Sequence, residues 1–317
     1  MNQLILLLIL RRIGSGILTL FIVSALVFII TSMLPGDAAQ QLLGQAATPE
    51  TVAALREQLG LNLPIWQRYF EWLGGMLHGD FGKSFANGLP VAKMVAQRIP
   101  ATFELAGITT LVSVPLAVII GITAAMKRDS LIDRMLVVGT MSVVAVPEFL
   151  VATVSVMVFA VHLHWFPAMS LGSTNQNFLG YLQAYALPVF TLCCVLVAQM
   201  ARMTRSAIIN QLDSSYLEMT LLKGVRPLRA VLRHALPNAV GPIANAISLS
   251  LSYLFGGVII IETIFSYPGL ASQMVDAVSN RDLPIVQLCV MLFSGCYLLL
   301  LLLADIATIA FNPKLKQ

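Results

Sequence analysis

The sequence predicts an all-α polytopic membrane protein with about six transmembrane helices and both termini cytoplasmic. Three observations lead there. Of 317 residues, 58% are hydrophobic and only 11% are charged, whereas a soluble domain has about 25% charged residues. Six stretches offer the roughly 20 mostly apolar residues that a spanning helix needs. Of the 19 Lys and Arg residues, 13 fall on one side of those stretches. This composition excludes a soluble enzyme and a disordered chain. The net charge of +4 is dispersed, with no run of five like charges, which argues against a nucleic-acid partner.

The first span is placed at Ile13–Leu34. It is too long for a signal-peptide core and no small-residue cleavage pattern follows it closely, so it is expected to be retained. The outer loop Pro35–Pro100 holds a helix-like stretch over Pro49–Leu59, with Thr48 as N-cap and proline at the first helical position. Trp66, Tyr69, Phe70 and Trp72 then suit an interfacial aromatic belt. The remaining spans are Thr102–Met126, Met135–Val161, Pro188–Met203, Pro242–Ile264 and Ile285–Phe311. The fourth is short and is expected to borrow from Tyr185–Leu187 or from its cytoplasmic end. Three regions follow: 1–34, an outer loop 35–100 with short helices, and a five-helix core 101–317 that includes the inner loop 204–241.

Side is set by the basic residues. The side of the termini carries Arg11, Arg12, Lys127, Arg128, Arg134, Arg202, Arg205, Lys223, Arg226, Arg229, Arg233, Lys314 and Lys316. The other six lie mostly in one long loop, which counts weakly in the positive-inside rule, so that side is cytoplasmic. The inner loop Thr204–Gly241 is where coupling to a soluble partner is expected.

Some motifs lead elsewhere. Gly82-Lys83-Ser84 suggests a phosphate loop, but the first glycine of that pattern would fall at Leu77. Cys193, Cys194, Cys289 and Cys296 match neither a zinc nor a CxxC spacing and read as small apolar residues, with no disulfide. His162 and His164 beside Trp165 read as interfacial packing rather than a metal site. No catalytic arrangement, cofactor site or metal site is expected in this chain.

Within the spans, Glu148 stands out. It follows Pro147 near the midpoint of the third span, where a lone carboxylate costs several kcal/mol and faces either a wet cavity or a partner. Two readings stay open here: a path-lining acid that favours cationic groups, or a hydrogen-bonded side chain filling the gap opened by Pro147. Gly107, Pro115, Gly121, Gly256, Gly257 and Gly295 allow close helix approach or hinging and carry no substrate role.

The inner loop becomes specific over Tyr216-Leu217-Glu218-Met219-Thr220-Leu221-Leu222-Lys223-Gly224-Val225, Arg226-Pro227-Leu228 and Arg233 through Pro242. Gly224 suits a left-handed helix end and Pro227 a helix start, giving a rigid, basic hairpin. This stretch resembles the coupling loop of ABC importer permeases of the dipeptide/oligopeptide/nickel family. The likeness runs along nearly the whole chain. It includes Leu34-Pro35-Gly36-Asp37, Leu59-Gly60-Leu61, Gly79-Asp80-Phe81-Gly82-Lys83-Ser84, Arg98 through Leu105 and Pro147-Glu148-Phe149. It continues through Trp165-Phe166-Pro167, Ala201 through Ser206, Glu262 through Leu270, Arg281-Asp282-Leu283-Pro284 and Asn312-Pro313-Lys314. One departure is that Thr220-Leu221-Leu222 stands where the family usually has Ala-Arg-Ala.

The resemblance implies a type I ABC importer permease fold in a bacterial inner membrane. It also implies a second homologous permease subunit, two ABC ATPase subunits that bind ATP and magnesium, and a periplasmic solute-binding protein. The chain itself would hydrolyse nothing. Tyr216, Glu218, Lys223, Gly224, Arg226 and Arg233 would couple to the ATPase, and Pro147 and Glu148 would line the translocation path. Peptide is the implied cargo, with nickel chelates or other small solutes as the alternative. An ion-coupled secondary transporter would instead need paired midplane charges or an inverted repeat, and an intramembrane enzyme two catalytic side chains at one depth.

Overall fold

The computed structural model describes residues 3–33, 38–58, 60–170 and 177–310. Leu34-Pro35-Gly36-Asp37, Leu59, Asn312-Pro313-Lys314 and Lys316 lie outside the described residues. The secondary structure described is helical: α1 (Gln3–Met33), α2 (Ala38–Leu43), α3 (Pro49–Gln58), α4 (Ile65–Leu77), α5 (Val91–Met126), α6 (Leu131–Ala145) and α7 (Glu148–Ser155). Then come α8 (Phe178–Leu212), α9 (Ser215–Leu222), α10 (Pro227–Ala230), α11 (Leu236–Ile264), α12 (Leu270–Ser279) and α13 (Leu283–Ala310). A π-helical turn at Val156–His162 continues α7, and another at Val231–Ala235 joins α10 to α11. Among the described residues, five helices are long and apolar enough to cross a membrane, or six spans if a bent pair is counted as one. The protein is therefore an all-α, multi-pass membrane protein.

One expectation is corrected and two are refined. The third span is not one helix. α6 and α7 meet at Val146-Pro147 with a bend of 98°. Pro147 cannot donate to the helix ladder and disfavours α conformation at Val146, whose ψ is 127°. Glu148 thus begins a second helix, at the break between the two halves of that stretch. The fourth span is α8, which runs well beyond Pro188–Met203 at both ends. Pro188 is inside it, and its missing N–H leaves the Ala184 carbonyl, four residues back, without a helical donor. The Ser170 hydroxyl donates to that carbonyl instead, which is how a spanning helix tolerates proline. The inner segment 204–241 is mostly helix continuous with the spans, and only Asp213-Ser214 and Lys223–Arg226 break it.

The chain forms two compact units, with boundaries inside α1, α5 and α13. One is built around Arg11–Thr102 and Pro268–Gly295. Its core contains Val91, Val95, Leu270, Ile285, Val286, Leu288 and Cys289. Tyr69 of α4 is buried against α1, its hydroxyl 2.8 Å from Ser24 Oγ and its ring edge-on to Phe28. Thr48 does cap α3: its Oγ1 accepts from the Thr51 N–H while Thr51 Oγ1 accepts from the Thr48 N–H. The Gly82-Lys83-Ser84 turn belongs to this unit too. The Asp282 carboxylate accepts from the Ser84 hydroxyl, the Phe85 N–H and the Ala86 N–H. That loop holds a buried carboxylate of its own chain.

The other unit is built around Phe103–Tyr267. Helices α5 and α8 approach closely at Gly121, where an added Cβ would stand 2.6 Å from Thr204 Cβ and 2.7 Å from the Ala201 carbonyl. Ala125, Ile208, Val231, Ala239 and Ile243 close its core near the α9 hairpin. Cys193 and Cys194 line an apolar cavity of about 250 Å³ between α5, α6 and α8.

Candidate functional site

The hairpin is assembled from local rules. Asp213-Ser214 ends α8, and Ser214 sits extended at the N-cap of α9. After Leu222 the chain turns through Gly224 at φ +82°, a left-handed conformation that glycine adopts without a Cβ penalty. Arg226 is the N-cap of α10, and Pro227 takes its first position, where no N–H is needed. Leu217, Ala230, Val231 and Ala235 are buried and hold the hairpin to its unit. Tyr216 reaches across to the π-helical turn, with its hydroxyl 3.0 Å from His234 Nδ1 and its ring edge-on to the imidazole.

The outward face is unusual for a polar loop. Tyr216, Met219 and Leu222 recur every three residues along α9 and are 55%, 56% and 75% exposed, and Leu228 and Leu232 add to them. Glu218, Lys223, Arg226, Arg229 and Arg233 are exposed around this apolar stripe. An exposed apolar patch with a charged rim marks a protein interaction surface. The six residues expected to couple are therefore brought together on one hairpin. Leu221 and Leu222 widen the apolar part, whereas the Thr220 hydroxyl turns back to the Tyr216 carbonyl at 2.9 Å.

Pro147 and Glu148 are on a separate element. Pro147 is exposed and Glu148 is half-buried at the start of α7, where the helix dipole favours an acid. The Glu148 carboxylate rests against α11: a Cβ on Gly257 would lie 2.6 Å from its Oε2. Among the described residues it makes no hydrogen bond or ion pair, so it does not fill the backbone gap at Pro147.

Sequence reasoning missed two ion pairs at the base of the hairpin. Arg205 donates from one edge of its guanidinium to the buried Asp133, Nε to Oδ1 and Nη2 to Oδ2, each at 2.6 Å. Arg128 Nη1 spans both oxygens of Asp213 at 2.9 and 3.0 Å. A local signal existed for Asp133, because Ser130-x-x-Asp133 has the spacing of a helix start. Ser130 Oγ indeed accepts from the Asp133 N–H.

Comparison with known proteins decides the family. Residues 117–317 match the family described as binding-protein-dependent transport system inner membrane component, and residues 5–106 match its N-terminal region. The chain belongs to that family. Two relatives match the permease over almost their whole length. A protein of Sinorhizobium fredii, named "Probable peptide ABC transporter permease protein y4tP", is 35% identical over 97% of this chain and 98% of its own. The Escherichia coli K12 protein named "Glutathione transport system permease protein GsiC" is 34% identical over the same shares. The permease thus carries its exposed hairpin and its bent span within the matched region 117–317.

Proposed function

We propose that this permease forms half of the translocation path of an ATP-driven peptide importer in a bacterial inner membrane, with both termini cytoplasmic. It pairs with a second homologous permease subunit. Two ABC ATPase subunits, which bind the ATP and magnesium, dock on the hairpins, and a periplasmic binding protein delivers the cargo. The reading of the cargo as peptide is supported by the names of the relatives. Glu148 faces the path and attracts ammonium groups.

The observation that carries this reading is the basic-rimmed apolar stripe of Tyr216, Met219 and Leu222 on the positively charged side. Such a surface fits a groove with an apolar floor and acidic edges. Closure of the ATPases would push α9, and the connected helices would open the path alternately to either side. The test is Leu222→Asp in the complex co-expressed with its neighbours. Membrane insertion should be unchanged while the ATPase no longer copurifies. Copurification at wild-type levels would overturn the docking assignment, and absence of any ATPase from the intact wild-type complex would overturn the importer reading.

A further inference from the structure

On its α8 side the hairpin is joined by two non-helical residues, Asp213 and Ser214, whereas α10 runs on through the π-helical turn into α11. A two-residue break between α8 and α9 would absorb a push on α9 by flexing. The two arginine–aspartate contacts lie on either side of the α5–α6 turn and at the end of α8, where they oppose that flexing. We propose that Asp133–Arg205 and Arg128–Asp213 are positioning contacts: they make the α5–α6 turn and the end of α8 one rigid base, so that motion of α9 is carried along α6 to the bend before Glu148. This rests on the reading that an ATPase docks on α9.

The geometry supports rigidity over mere attraction. Arg205 and Asp213 are eight residues apart, about 12 Å at helical rise. Two attachments that far apart resist rotation, whereas a single one would be a pivot. Asp133 is itself held from three sides. Its carboxylate takes both Arg205 bonds, its Oδ2 also accepts from the Asp129 N–H at 3.0 Å, and its own N–H donates to Ser130 Oγ. Asp129 has φ +63°, a strained conformation for a non-glycine residue that a fixed carboxylate can hold in place. Planar, two-pronged contact of this kind fixes orientation as well as distance. The second pair is exposed, and Arg128 also lies 3.7 Å from Asp129. Exposed pairs add little stability, so a role in geometry accounts better for its two-oxygen contact.

The test uses the assembled complex in nanodiscs and hydrogen–deuterium exchange with and without Mg-ATP and vanadate. Two segments are read: α9 (215–222) and the bend (142–152). The wild type should show nucleotide-dependent change in both. Arg128→Asp and Asp213→Arg, each at an exposed position, should keep the change at α9 and reduce that at the bend at least threefold. The double reversal should restore the bend response to within twofold of wild type, which a merely structural loss would not do. Asp133→Asn should also lose the bend response, and Arg205→Lys should not preserve it, because an ammonium lacks the fork. A bend response that persists in the single reversals, or fails to return in the double, overturns the inference while leaving docking intact. No nucleotide-dependent change at α9 in the wild type would overturn the docking reading and this inference together.

Discussion

Asp282 and Glu148 show two outcomes for a carboxylate placed among apolar residues. Asp282 is buried and accepts from three donors of the Ser84–Ala86 turn, so its charge is compensated by its own chain. Glu148 has no such donors among the described residues, and only the start of α7 offsets its charge. An acid left in that condition is available to an incoming cation. Glu148→Gln keeps the side-chain volume and its contact with Gly257. Loss of an attraction of about 1 kcal/mol should weaken apparent affinity for cationic over neutral peptides roughly fivefold. Transport competition in proteoliposomes reads this, and unchanged discrimination would remove Glu148 from the path. Its oddity was legible in the sequence, as a charge beside proline in an apolar run. Asp282 was not legible, since its partners lie about two hundred residues away.

Elements follow local chemistry until a neighbour intervenes. The turn at Gly224 and the start at Pro227 appear where the residue types placed them. The third span was read as one stretch, Met135–Val161, because apolar composition persists through Val146-Pro147, and composition carries no bend angle. The glycines could not be ranked from sequence either. Gly121 is pressed against Thr204 and Ala201, whereas nothing stands within 4 Å of a Cβ on Gly107 in the same helix. Gly121→Val should therefore overpack the α5–α8 contact, costing about 1–3 kcal/mol and lowering the thermal midpoint of the purified complex. Gly107→Val should leave that midpoint within a degree or two. Equal effects at both positions would mean that helix propensity, not packing, sets the cost.

At the scale of the whole molecule, the distribution of charge is more informative than its amount. Six of the basic residues expected on the inner side, Arg202, Arg205, Lys223, Arg226, Arg229 and Arg233, lie in or beside the hairpin, yet they divide into two groups. Arg205 is consumed by Asp133, while Arg202, Lys223, Arg226, Arg229 and Arg233 remain exposed. Calorimetric screening of the cognate binding protein should find its tightest ligands among short peptides, and transport by the complete importer should rank peptides in the same order. A binding protein that takes nickel chelates but no peptide would move this permease to the alternative cargo class.

The amino-acid sequence by itself determined the class of the protein, the approximate number of spans, the hairpin with its basic rim and the family. These rest on composition, on apolar length and on residue types at short spacing, all of which act locally along the chain. The tertiary structure alone decided the 98° break before Glu148 and the seat of its carboxylate on α11. It also decided the capture of Ser84 by Asp282 and the pairing of Arg205 with Asp133 and of Arg128 with Asp213. Each of these depends on where a second helix stands, and local periodicity holds no record of a partner dozens or hundreds of residues away.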